Sequence, residues 1–179
     1  MKRSVVRSLG IILGVLGIMA ILAGCSQGIT SSSGQQSNPS SSTGPSSKSN
    51  VAYPPKNFSP TASGSTVYLS MAAVAQAGNG RFRVNDMTFM AYQMDGKYYI
   101  RSSVCVPCGS TSFTLQNGTL ICNTCGTVFS ATTGIGVRGV AACMTYAKKA
   151  VVYTTDGDNI VMTLTDLTTA YQNTLNRKN

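Results

Sequence analysis

The hydrophobic pattern divides the chain into three parts. Apolar residues run almost without a break over 9–22, nearly vanish over 26–60, and return from residue 66 in short alternating bursts. Alternation of that kind marks strands with one buried face. Segments 66–69, 81–84, 87–94 and 97–103 read as strands, followed by 112–116 and 120–121, and later by 150–154 and 159–165. The joints carry matching turn chemistry. Asp95-Gly96 and Asn117-Gly118 suit the two-residue turn that needs positive φ at both positions, and Asp156-Gly157-Asp158 joins the last pair. Ser70 is placed to cap a short helix that ends before Gly78, and Leu167, Tyr171 and Leu175 recur at helical spacing in a terminal helix starting at Asp166. Residues 132–139 are too rich in glycine for a regular element and read as a loop. The sum is a small, mainly β, antiparallel domain over 61–179 with a short C-terminal helix.

The segment between these strand groups carries the chemistry. Cys105-Val106-Pro107-Cys108 and Cys122-Asn123-Thr124-Cys125 are separated by a stretch that must form a hairpin. Two residues between sulfurs allow one tight turn to aim both at a point, so paired motifs of this spacing form a four-sulfur site. Cys105, Cys108, Cys122 and Cys125 are therefore the candidate metal ligands. Spacing does not choose between a closed tetrahedral zinc site, a mononuclear iron and a [2Fe–2S] cluster. Two disulfides are a further alternative, although a bridge within a pair closes too small a loop to constrain the unfolded chain much. Cys143, followed by Met144, reads either as a small buried hydrophobe or as part of a second soft-metal site suited to Cu(I), with Met87, Met90 or Met94 as neighbours.

The amino terminus changes the setting. A cationic start with Lys2, Arg3 and Arg7, the apolar run over 9–22 and Leu22-Ala23-Gly24-Cys25 resemble the export signal and lipobox of bacterial lipoproteins. That resemblance implies removal of 1–24, acylation of Cys25 and a protein held on the outer face of the cell membrane by lipid. Residues 25–60 then form a disordered Ser/Gly-rich tether with a reach of roughly 30 Å. The formal charge of +9 falls to about +6 without the signal, and the remaining basic residues show no run. They read as a solvated surface beside anionic lipid or wall polymer, with no nucleic-acid stripe. Tyr92, Tyr98, Tyr99, Phe113 and Phe129 accordingly read as the core and rim of the β domain. Histidine is absent, which excludes imidazole ligands and Ser-His-Asp chemistry.

The run Cys122-Asn-Thr-Cys125-Gly126-Thr-Val-Phe129, continued by Thr133-Gly134 and Gly139-Val140-Ala141, resembles the second half of a Rieske iron–sulfur motif with Cys125 in place of histidine. With the preceding Met94-Asp95-Gly96-Lys97 hairpin and the following cysteine, the stretch from Thr66 to Leu164 is similar to the FtrD-like membrane iron–sulfur domain family. The family's usual Gly-Gly-Cys-Asn-Pro stands here as Ala141-Ala142-Cys143-Met144-Thr145. The resemblance implies that Cys105, Cys108, Cys122 and Cys125 hold the metal. It also implies a redox role beside a membrane iron permease or a copper-linked transporter. Thiolates in place of imidazoles stabilise an oxidised iron centre, so the implied potential lies below that of a Rieske site. The reading is an extracytoplasmic electron carrier serving metal uptake. Its rivals are a zinc-stabilised, redox-silent module that docks on a transporter, and a thiol–disulfide protein.

Overall fold

A computed structural model describes residues 45–48 and 50–177. The export signal over 1–24, Cys25 and the first part of the tether lie outside the described residues.

The elements in chain order are β1 (Lys56–Asn57), β2 (Thr61–Ser63), β3 (Thr66–Ser70), α1 (Met71–Ala77), β4 (Gly80–Val84), β5 (Met87–Met94) and β6 (Lys97–Ser102). They continue with β7 (Phe113–Gln116), β8 (Thr119–Cys122), β9 (Val128–Ser130), β10 (Gly136–Arg138), α2 (Ala141–Met144), β11 (Thr154–Asp156), β12 (Asn159–Thr163) and α3 (Leu164–Leu175). Three four-stranded sheets result, ordered β1-β4-β5-β6, β10-β9-β8-β7 and β11-β12-β3-β2. Every pairing is antiparallel except β1 with β4. The mainly β, antiparallel class with a short C-terminal helix is therefore the one the sequence pattern predicts.

Local rules account for most of the boundaries. Asp95 and Gly96 take φ of 50° and 77°, and Asn117 and Gly118 take 49° and 66°, so both hairpins close on the turn their dipeptides favour. The Ser70 hydroxyl accepts from Ala73 N at the start of α1. Thr163 and Asp166 form a reciprocal capping box, which sets the start of α3 at Leu164 rather than Asp166.

Strand β5 explains how two cores coexist. Its side chains alternate, and both faces are covered: Phe89 and Ala91 enter one apolar cluster while Met90, Tyr92 and Met94 enter another. The first cluster packs α1 and α3 through Val74, Leu167 and Ala170 against Val67, Leu69, Ile160 and Met162 of β3 and β12. The second gathers Phe113, Leu115, Leu120 and Phe129 around the cysteines. Tyr92, Phe113 and Phe129 are thus core residues, as the sequence reading expects.

Three further boundaries differ from the sequence reading. Order begins well before residue 61: Tyr53 exchanges backbone hydrogen bonds of 2.8 and 3.0 Å with Leu115, and Lys56–Asn57 extends the sheet beside β4. Two aromatics anchor this strap, each seated over a glycine. A Cβ on Gly78 would lie 2.5 Å from the Tyr53 ring, and one on Gly80 would lie 2.1 Å from the Phe58 ring. Residues 136–138 pair with β9 instead of remaining loop. In the final hairpin the first strand is Thr154–Asp156 and not 150–154, because Ala150 and Val151 are drawn to β6, where Val151 N donates to Ile100 O.

Candidate metal centre

Each Cys-x-x-Cys segment folds into the same backbone knuckle. In the first, Cys105 N donates to Ser110 O and Gly109 N to Cys105 O, both at 2.8 Å. In the second, Cys122 N donates to Thr127 O and Gly126 N to Cys122 O, both at 2.9 Å. The glycine after each second cysteine takes a φ of 68°, a value that needs no Cβ to be comfortable. The β7–β8 hairpin joins the knuckles, and its pairing of Phe113 with Cys122 brings the second knuckle back beside the first.

A fifth thiol arrives from farther along the chain. Val140 N donates to Thr127 Oγ1 at 3.1 Å, which fixes the entry of α2 and presents Cys143 to the same point. The Sγ atoms of Cys105, Cys108, Cys125 and Cys143 all lie within 4.8 Å of one another. Cys122 Sγ is 3.7 Å from Cys108 Sγ, and Cys125 Sγ is 3.8 Å from Cys143 Sγ. The mutually close group thus holds Cys143 where the sequence reading places Cys122, which stands beside the group against Cys108, and none of the five is disulfide-bonded. Cys143 belongs to this convergence; Met144 lies half-buried with its backbone against Gly136. Met90 and Met94 fill the same apolar cluster as Cys143, whereas Met87 packs on the other one.

The thiols are not equivalent. Burial pushes the Cys105 thiol far up and also raises Cys108. Burial works in the same direction on Cys125 but is overcome by hydrogen bonds from the Thr127 side chain and backbone amide, which bring that thiol down to about 6. The Cys125 thiol donates to Thr127 Oγ1 at 3.2 Å, an oxygen that also accepts from Val140 N, and once the thiol ionises the hydroxyl proton can turn to the sulfur. In protein stripped of metal, Cys125 is expected to be the first thiol alkylated by iodoacetamide as pH rises through about 6. Peptide mass spectrometry reads the order, and Thr127→Val should move Cys125 upward. Earlier modification of Cys105 would contradict this assignment.

Two buried cations flank the cluster, which corrects the reading of all basic residues as solvated surface. Arg101 is 4% exposed and Lys148 is 0% exposed. Register shows why Arg101 turns inward: it pairs with Met90 on β5 and so shares the cysteine-side face. Its guanidinium donates to the carbonyls of Ala131, Thr132, Thr133 and Lys148 and to the Tyr92 hydroxyl. Tyr92 Oη donates in turn to Ala131 O at 2.6 Å, and burial raises its pKa. The loop after β9 is thereby strapped over the site. Gly134, with φ of 77°, lets it pass where a Cβ would stand 2.1 Å from Lys148 O. Lys148 Nζ donates to Val104 O at 2.7 Å and sits 4.4 Å above the Phe129 ring. The apolar flanks Ala147, Ala150 and Val151 are the only signal in the sequence that could have singled Lys148 out.

The donor set suits a soft, thiophilic metal. The five thiols have no imidazole or carboxylate among them, and neither knuckle is crosslinked. Among the described residues no helix is long and apolar enough to cross a membrane. A family model described as "Membrane iron-sulfur containing protein FtrD-like" matches residues 70–173. No curated protein matches the chain.

Proposed function

The chain belongs to the FtrD-like membrane iron–sulfur family, and from that premise we propose that it is a lipid-anchored, extracytoplasmic electron carrier with an iron centre held by cysteine thiolates, serving a membrane iron or metal permease. The observation that supports this most strongly is the convergence of four unbridged thiols, Cys105, Cys108, Cys125 and Cys143, at one point, with Cys122 beside them against Cys108. Bound there, iron or a [2Fe–2S] cluster supplies one-electron chemistry. The chain's own residues do the rest. Cys105, Cys108, Cys122 and Cys125 supply the two knuckles, Cys143 adds a thiol in contact with them, and the amides of Ser110 and Thr127 offset thiolate charge on Cys108 and Cys125. The loop held by Arg101 and Tyr92 limits water, leaving the half-buried Cys108 and Cys125 as the sulfurs nearest solvent.

Cys25 would supply the anchor and the segment after it the spacing from the bilayer. The exposed Ile135, Val137 and Val140 lie around this end of the site, and Val140 is joined through Thr127 to Cys125. A partner that touches Val140 therefore has a short bonded route to a sulfur.

A tetrahedral metal with metal–sulfur bonds of about 2.3 Å sets sulfur–sulfur edges near 3.8 Å, so the Cys108–Cys122 and Cys125–Cys143 contacts of 3.7 and 3.8 Å suit a single ion and equally the two irons of a [2Fe–2S] cluster. Purified, membrane-released protein decides between the readings. Visible absorbance with about two irons per chain supports a [2Fe–2S] carrier, and one iron supports a mononuclear carrier. Colourless protein holding one zinc overturns electron transfer in favour of a structural module.

A further inference from the structure

Lys148 is a fully buried amine with no carboxylate partner among the described residues; burial lowers its pKa and negative charge on the nearby cysteines raises it. The chain has five acidic residues, all aspartates; Asp86, Asp95, Asp156 and Asp158 are exposed, and Asp166 is engaged in the α3 capping box. The one ion pair among the described residues joins Arg83 to Asp86 at the surface. Burying an unpaired ammonium is costly, and one carbonyl and two ring faces offset that cost only in part. Nζ nevertheless sits 2.7 Å from Val104 O, the residue just before Cys105, with Phe129 and Phe113 rings 4.4 and 5.6 Å away. Both rings belong to the cluster that encloses Cys105 and Cys122. The backbone of Lys148 is pinned as well, since its N donates to Gly134 O at 2.7 Å and its O accepts from Arg101. The amine is thus fixed in place, and the groups whose negative charge acts on it are Cys105, Cys122, Cys143 and Cys108.

We propose that Lys148 is the built-in counter-charge of the thiolate centre, a positioning residue that strengthens metal retention and raises the reduction potential. This rests on the metal-centre reading above, and the physics runs in one direction. Four thiols are neutral when protonated, whereas four thiolates on a divalent ion carry a net charge of about −2, so a fixed positive charge favours the loaded state. Adding an electron makes the centre more negative still, so the same charge favours the reduced form. A Lys148 side chain that merely filled space would do neither.

Two substitutions separate charge from packing. Lys148→Met removes charge and donor, while Lys148→Gln removes the charge but keeps a donor for Val104 O. The test uses the full-length protein with its native metal, far-UV circular dichroism to confirm folding, chelator competition to measure retention, and a redox titration where the metal is iron. Both variants are expected to retain metal at least tenfold less tightly. With iron, both should show a midpoint at least 59 mV lower, the shift equivalent to tenfold for one electron. Should the Met variant fail to fold, the Gln variant decides. Parent-like retention and potential in Lys148→Gln would overturn the proposal. If the native metal proves to be zinc, the electron-carrier reading fails alone, and retention in Lys148→Gln still tests the role of Lys148.

Discussion

Serine at Cys108 is expected to empty the metal centre, whereas serine at Cys122 or at Cys143 alone is expected to leave it occupied, and only the double variant to empty it. Geometry supplies the reason. Cys105, Cys108 and Cys125 are common to the two-knuckle set and to the compact quartet that includes Cys143. Losing Cys108 leaves neither set complete. Losing Cys122 leaves Cys105, Cys108, Cys125 and Cys143 within 4.8 Å of one another. Losing Cys143 leaves both knuckles intact. The coupling is accordingly large and non-additive, the behaviour expected of residues sharing one partner. Because binding free energy at a thiolate site is also folding free energy, on the order of 10 kcal/mol for structural zinc, the empty variants should unfold at markedly lower temperature. Metal per chain after chelator dialysis, read beside the thermal midpoint, tests this. If Cys122→Ser alone is as empty as the double variant, Cys143 does not substitute as a ligand.

The convergence of thiols was only partly legible in the sequence. Cys105, Cys108, Cys122 and Cys125 declare themselves because a tight turn is a local object, and two residues between sulfurs are enough to specify it. The same locality made Asp95-Gly96, Asn117-Gly118 and the Ser70 cap readable. Cys143 is different: its place depends on β10, on the α2 entry and on a hydrogen bond to Thr127, none of which is encoded within a few residues of it. The strap over 50–60 was hidden by composition, since Tyr53 and Phe58 are two aromatics in a polar stretch and their seats over Gly78 and Gly80 exist only in the folded sheet. Arg101 is hidden for a related reason. A cation in an alternating strand looks solvent-facing until its cross-strand partner, here Met90, is known to point into a core. The two-sided burial of β5 is what made that face invisible to periodicity.

Arg101→Met should be the most destabilising single change outside the cysteines, costing about 3 to 5 kcal/mol and shifting the denaturation midpoint accordingly. The methionine matches the stem and so leaves little cavity, but it abandons the carbonyls of Ala131, Thr132, Thr133 and Lys148 together. Ala131 O keeps its bond from Tyr92, whereas Lys148 O loses its guanidinium partner in a buried setting. Tyr92→Phe removes a single hydroxyl and is expected to cost about 1 to 2 kcal/mol, which sets an internal scale for the larger effect. The two changes meet at Ala131 O, so their double variant should fall short of the sum. Urea unfolding of the metal-loaded protein measures all three. The loop bridging β9 and β10 carries three of the four released carbonyls, so Arg101→Met should also admit water to the site and accelerate metal loss to chelator, while Tyr92→Phe, with the guanidinium still in place, should do so far less. A cost for Arg101→Met no larger than that of Tyr92→Phe would show that the loop holds its place without the guanidinium.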